Sequence, residues 1–229
     1  MISYNFYKNI IYSMPLVCFG WLSGWSSQTT YDIYLLQVYN VFFTAWPIII
    51  FAVFDFEYPK QVFLEYPQLY AKGLIDNLLC WSKYFNICLE SMLHGLFVFV
   101  IGFLYFDGAL GVNGETSDMR TDGNLIYAAC VILVTIKIII DSHTINILVI
   151  AFDVLSMAAY YGFVWLMSRF QSLDIFDQFD EMNQFNQQWA VIFLLTFCAL
   201  PLNQLWFAFN EYIFVQEESK GSEKRENGD

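Results

Sequence analysis

The chain has 229 residues, of which 58% are hydrophobic, 20% aromatic and only 14% charged, with a formal net charge of -12. A soluble domain carries about 25% charged residues, so the deficit marks a chain that excludes charge from most of its length. The acidity, and the lack of any basic stripe to neutralise phosphates, exclude a nucleic-acid partner.

The amino end, MISYNFYKNIIYSMP, has no basic leader and no small-residue cleavage site, so membrane insertion is expected to depend on the mature spans themselves. Crossing the hydrocarbon core takes ~20 apolar residues in a helix. Six stretches qualify: 6–25, 33–54, 86–106, 124–141, 146–168 and 188–214. The fourth has a β-branched run, but its length and lack of alternation predict a helix rather than a strand. Asp141-Ser142-His143-Thr144 makes a tight turn between the fourth and fifth. The connections 58–85, 107–123 and 169–187 are mixed or acidic, and the tail from Gln216 is charged and without apolar residues, as disordered segments are. The expected fold is therefore all-α, a polytopic transmembrane bundle of about six helices over 1–215 with a disordered tail over 216–229.

Basic residues set the orientation. With the amino end cytosolic, the inside segments hold Lys60, Lys72, Lys83, Lys220, Lys224 and Arg225, six residues, against Arg120 and Arg169 outside. Both ends are then cytosolic.

Ionisable groups at membrane depth are candidate functional residues because they are costly there. Lys8, in FYKNII, has two readings: an ammonium snorkelling to the interface, or a functional cation. Lys137 precedes a cytosolic turn and is expected to snorkel, and Asp153 is expected to pair with it across the hairpin. In the second span Asn40 and Thr44 are four apart and so are expected on one face. Pro47 removes the backbone bond to position 43 and frees the Phe43 carbonyl; Pro15 makes a similar break in the first span. Polar side chains beside broken helices serve either interhelical packing or a polar route through the bilayer.

The five cysteines, Cys18, Cys80, Cys88, Cys130 and Cys198, form no C-x-x-C pair and have no histidine nearby. They read as small hydrophobes, and no metal site is expected. His94, within an apolar stretch, is expected to hydrogen-bond a neighbouring helix, and His143 stands apart. Asn113-Gly114-Glu115-Thr116 resembles a loop that positions hydrolytic water in P-type ATPases. It lies in a short outside loop with no soluble domain around it, and is read as coincidence.

Together, FYKN at 6–9, the WSSQTTYD turn, YNVFFTAWPIIIFAVFD, YPQLYAKG at 66–73 and Ala199-Leu200-Pro201 resemble the phospholipid-flipping P4-type ATPases over nearly the whole chain. The resemblance implies the fifth to tenth helices of a ten-helix pump that moves phospholipid from the outer to the cytosolic leaflet. It implies that Lys8 lies mid-membrane and is important for transport, that Asn9 is the adjacent amide, and that Asn40 and Thr44 border the headgroup route. Leu202-Asn203 depart from the family, which usually has a basic residue after this proline.

The phosphorylated DKTG-type segment and nucleotide-binding domain of such pumps are absent from this sequence. The chain is therefore expected to bind no cofactor and to hydrolyse no ATP alone; ATP and Mg²⁺ belong by resemblance to the complete pump. A fragment or truncated gene product is the expected explanation, partnered by the missing amino-terminal half. A two-span accessory subunit is a further possible partner, contacting the outside loops. A catalytically dead membrane scaffold or lipid-binding protein derived from a flippase is the alternative, and an unrelated six-helix channel a third reading. The sequence leaves headgroup preference open, and plasma membrane and endomembrane alike.

Overall fold

The computed structural model of the protein describes residues 2–55, 60–67, 81–106, 116, 118–142, 147–171, 173, 175–184 and 192. Among them every regular element is a helix: α1 Ile2–Leu22, α2 Ile33–Val38, a π-helical turn Tyr39–Phe43, α3 Ala45–Phe54, α4 Lys60–Glu65, α5 Trp81–Phe106, α6 Met119–Asp141, α7 Ile147–Met167 and α8 Gln178–Gln184. Four are long and apolar enough to cross a membrane: Ile33–Phe54 taken as one run, Trp81–Tyr105, Met119–Asp141 and Ile147–Met167. α1 has comparable length, 21 residues, but carries Asn5, Lys8, Asn9 and Ser13 among its apolar ones. The expected span 188–214 and the tail fall outside the described residues, as do Asn113, Gly114, Glu115, His143, Cys80, Cys198, Leu200, Pro201, Leu202 and Asn203.

Several boundaries differ from the sequence expectation. α5 begins at Trp81 and α6 at Met119, each five residues before the apolar run (81 against 86, 119 against 124). For α6 the reason is visible, because its polar first turns are packed rather than solvated. Thr121 donates to Glu181 Oε2 at 2.9 Å, and Asn124 Nδ2 donates to Gln178 Oε1. Both acceptors lie on α8, a short helix inside what reads as an acidic loop. α1 ends where Gly24 (φ +61°) and Trp25 (φ +59°) enter the left-handed region. There the Trp25 N–H closes back on the Gly20 carbonyl at 2.8 Å, the 6→1 bond of a Schellman-type stop. Asp32 caps α2 by accepting from the Tyr34 N–H at 2.8 Å.

α6 is the axis of the bundle. In its most apolar stretch 72% of residues are buried, against 28–33% in the other three spans, and it packs on α1, α3, α5, α7 and α8. Where helices come closest, glycines make room. A methyl group on Gly95 of α5 would lie 2.6 Å from Met14 Cβ and 2.9 Å from the Ile11 carbonyl oxygen, and one on Gly123 of α6 would overlap the Thr30 backbone. Small residues at such crossings are the usual way membrane helices gain packing without a hydrophobic drive.

The centre is aromatic. Tyr31, Tyr39 and Tyr160 all pack on Tyr127, with ring centroids 5.1, 5.7 and 5.6 Å away. Such contacts each contribute about 0.5–1.5 kcal/mol beyond area burial. Their hydroxyls are used across helices: Tyr39 donates to the Lys8 carbonyl at 3.0 Å, Tyr127 to the Leu35 carbonyl at 2.9 Å, and Tyr160 to the Asn124 carbonyl at 2.9 Å.

Candidate polar site at the broken helices

Pro15 and Pro47 each free a carbonyl that finds a donor on another helix, but α1 continues through Pro15 as one helix, so the break expected there is only a lost backbone bond. Pro15 lies inside α1 and leaves the Ile11 carbonyl without its intrahelical partner. The Cys130 thiol donates to that oxygen at 3.7 Å, so this cysteine is a weak cross-helix donor as well as a buried apolar group. Pro47 frees the Phe43 carbonyl, and the Ser156 hydroxyl donates to it from α7. An orphan carbonyl in hydrocarbon costs several kcal/mol, so a break is tolerated only where it is satisfied in this way.

The second break is wider than proline alone requires. Tyr39–Phe43 form a π turn, and Thr44 leaves helical geometry altogether (φ -127°, ψ -7°) before α3 resumes at Ala45. The Thr44 hydroxyl donates back to the Tyr39 carbonyl at 3.0 Å and accepts from Lys8 Nζ at 3.0 Å. Lys8 is 6% exposed and Thr44 1%. Lys8 is thus a buried side chain pointing at a helix break, rather than one reaching for the membrane surface. Its polar partner among the described residues is a neutral hydroxyl.

The expectation that Asn40 and Thr44 share a face is corrected. Asn40 is exposed and Thr44 buried; Thr44 ends the π turn outside helical geometry, so the four-residue helical spacing does not hold between the two. Asn9 is also exposed. The site residues therefore divide: Lys8, Thr44, Pro15 and Pro47 lie inside, Asn9 and Asn40 on the outer surface of the described bundle.

Two further expectations are overturned. Lys137 does not snorkel, and Asp153 is not its partner. Lys137 Nζ sits 2.9 Å from Glu90 Oε1 on α5 and 3.3 Å from Asp141 Oδ1 one turn along α6, with its side chain only 13% exposed. Glu90 was legible as a partner from depth alone, standing four residues inside the start of the third expected span, as Lys137 stands four from the end of the antiparallel fourth. The same cluster includes Tyr7, whose ring lies 5.5 Å from the Lys137 ammonium and whose hydroxyl is hydrogen-bonded to His94 Nδ1 at 2.8 Å. The interhelical bond expected of His94 is thus present.

Asp153 is 1% exposed, and neither carboxylate oxygen has a hydrogen-bond partner among the described residues. It stands three residues before Ser156, on the same face of α7 and so beside the second break. Tyr4 stands one turn before Lys8 on α1. Its hydroxyl is likewise buried and unpartnered among the described residues.

No group of three or more His, Cys, Asp or Glu side chains among the described residues is placed to hold a metal ion.

The described helices form an all-α bundle in which Lys8 is buried against the break of the second span. The chain belongs to the phospholipid-translocating P-type ATPase family: the model of its carboxyl-terminal region, described as "Phospholipid-translocating P-type ATPase C-terminal", matches residues 1–216. The chain is 31% identical over 212 residues to human phospholipid-transporting ATPase ID, covering 87% of this chain and 17% of that relative. It is 27% identical over 234 residues to human phospholipid-transporting ATPase IH, covering 95% of this chain and 20% of the relative. With probable phospholipid-transporting ATPase 5 of Arabidopsis thaliana it shares 33% over 134 residues, 58% of this chain and 11% of that one. The chain thus spans about a fifth or less of the relatives it matches, and what it matches is their carboxyl-terminal membrane region.

Proposed function

We propose that this chain is the lipid-conducting membrane part of an ATP-driven phospholipid pump, carrying phospholipid from the outer to the cytosolic leaflet. The observation that carries this reading is Lys8, a buried ammonium held at 3.0 Å on Thr44 at the break of the second span. A cation at membrane depth with a neutral partner is poised to receive an anionic group, and a phosphodiester is one. Asn9 and Asn40, exposed on α1 and the π turn, offer amide donors along the outer surface by which a headgroup would approach. ATP binding, phosphoryl transfer and Mg²⁺ belong in this reading to the remainder of the pump, and α1 and the broken α2–α3 run are the elements through which that cycle acts on the lipid. A two-span accessory subunit would meet the outside loops 107–123 and 169–187.

The test is a chimera in which residues 1–216 replace the matching segment of human phospholipid-transporting ATPase ID. Lipid-stimulated ATP hydrolysis and uptake of a fluorescent phospholipid are measured in reconstituted vesicles. Uptake is expected with the native segment, and Lys8→Ala is expected to reduce lipid stimulation about tenfold or more, the loss of one charge-assisted contact. Unchanged stimulation in Lys8→Ala would return Lys8 to a packing role.

A further inference from the structure

Tyr7 directly precedes Lys8, and in a helix of 3.6 residues per turn successive side chains point about 100° apart. The two therefore meet different neighbours: Lys8 reaches Thr44 at the break of the second span, and Tyr7 faces α5 and α6. Tyr7 is 2% exposed. Its hydroxyl is hydrogen-bonded to His94 Nδ1 at 2.8 Å, and the two rings meet edge to face with centroids 5.8 Å apart. The Lys137 ammonium lies 5.5 Å from the Tyr7 ring centre, within the range of a cation–π contact. Glu90 at 2.9 Å and Asp141 at 3.3 Å hold that ammonium in turn. Glu90 and His94 are four apart on α5, and Lys137 and Asp141 four apart on α6, so one face of each helix converges on Tyr7.

The knot has a mechanical reason. Pro15 removes the backbone bond to the Ile11 carbonyl, one turn beyond Lys8, and a helix lacking a bond bends and turns more easily there. At the level of Lys8 the described cross-helix ties are Tyr7 on one side and, on the other, the Lys8–Thr44 bond with the Tyr39 hydroxyl on the Lys8 carbonyl. A lysine that receives an anion gives up its bond to Thr44 when the anion arrives, so that bond cannot also hold the helix. Tyr7 keeps its partners throughout. Resting on the flippase reading above, we infer that Tyr7 is a positioning residue for Lys8: anchored by His94 and by the Lys137–Glu90 pair, it fixes the rotation of α1 and so keeps the Lys8 ammonium aimed at the break of the second span. Buried between α1, α5 and α6, Tyr7 acts on the lipid only through Lys8.

The experiment follows acetylation of Lys8 in the purified 229-residue chain in detergent, by mass spectrometry of its peptides, with the exposed Lys83 as internal reference. Tyr7→Phe keeps the ring and removes only the hydroxyl. It is expected to raise the Lys8 rate relative to Lys83 about tenfold, the scale of one buried hydrogen bond. His94→Leu is expected to do the same, and His94→Asn, whose amide reaches where Nδ1 does, to keep the wild-type rate. Thr121→Val is the control. It breaks the Thr121–Glu181 bond roughly 24 Å along α6 from Lys137, and is expected to leave the Lys8 rate unchanged even where it lowers the unfolding midpoint. A Lys8 rate unmoved by Tyr7→Phe, or raised as much by Thr121→Val, overturns the inference. Where Tyr7→Phe is not monodisperse, equal rates in His94→Leu and His94→Asn overturn it instead. None of these rates involves lipid. In the chimera described above, Tyr7→Phe is expected to raise the half-maximal phospholipid concentration about tenfold, more than it lowers the maximal rate of ATP hydrolysis. A half-maximal concentration unmoved by Tyr7→Phe, with lipid stimulation lost in Lys8→Ala, overturns the positioning role alone. Lipid stimulation intact in Lys8→Ala sinks the transport role given to Lys8, whatever the acetylation rates.

Discussion

At the scale of single residues, the two carbonyls freed by proline are met by donors that nothing nearby in sequence announces. Ser156 lies 113 positions from the carbonyl it serves. Ser156→Ala strands that oxygen and is expected to cost about 1–3 kcal/mol, read as a lower midpoint of thermal unfolding in detergent, with Ser156→Thr restoring most of it. Glu90 and Lys137 form a second test. Removing either charge leaves the other poorly compensated, a loss of about 3–5 kcal/mol when fully buried and less here, with Asp141 half-exposed nearby. Glu90→Gln and Lys137→Met are each expected to lower the unfolding midpoint, and the double variant to lower it less than their sum; strict additivity would show that the pair is not coupled. Proline chemistry made the Phe43 carbonyl legible, because one residue type removes one identifiable bond. Its acceptor role toward Ser156, and the pairing of Lys137 with Glu90 rather than Asp153, depend on which helix faces meet, which short-range spacing does not contain.

At the scale of elements, length and apolarity placed four spans among the described residues, and the misses fall where local chemistry changes the helix. Thr44 leaves helical geometry at the end of the π turn and does not share the environment of Asn40, and no residue within Tyr39–Phe43 marks a π turn as proline marks a kink. The polar start of α6 reads as loop until α8 supplies its partners. Close approach gives a prediction of opposite signs. Gly95 sits against Met14 and the Ile11 backbone, whereas a methyl group on Gly162 of α7 would meet nothing within 4 Å. Gly95→Ala is expected to destabilise by about 1–3 kcal/mol through overpacking. Gly162→Ala is expected to stabilise by about 0.5–1 kcal/mol, as alanine does in a helix interior. Equal effects in unfolding scans would show that α1 and α5 are not packed as described.

For the molecule as a whole, the tyrosine cluster ties the turn before the second span to the core. Burial pushes the Tyr31 phenol well above the ordinary tyrosine range, and this residue precedes the second span. A raised phenol favours the folded state's neutral form, so its contribution is fully present below pH ~10, the unfolded value, and is lost as pH rises beyond it. The bundle is expected to unfold on the alkaline side of pH ~10, followed by near-ultraviolet circular dichroism. Tyr31→Phe, which has no proton to lose, is expected to flatten that loss, and an unchanged alkaline slope would assign it to other groups.

The central place of α6 has a consequence for how the bundle responds to its bilayer. Hydrophobic mismatch acts on surfaces that touch acyl chains, and α6 presents little of its apolar stretch to them. In thinner or thicker bilayers the outer helices α1, α5 and α7 bear the strain and tilt, while α6 keeps its inclination as a fixed post. Because Lys8 is on α1 and Asp153 on α7, their separation becomes a quantity that membrane thickness tunes.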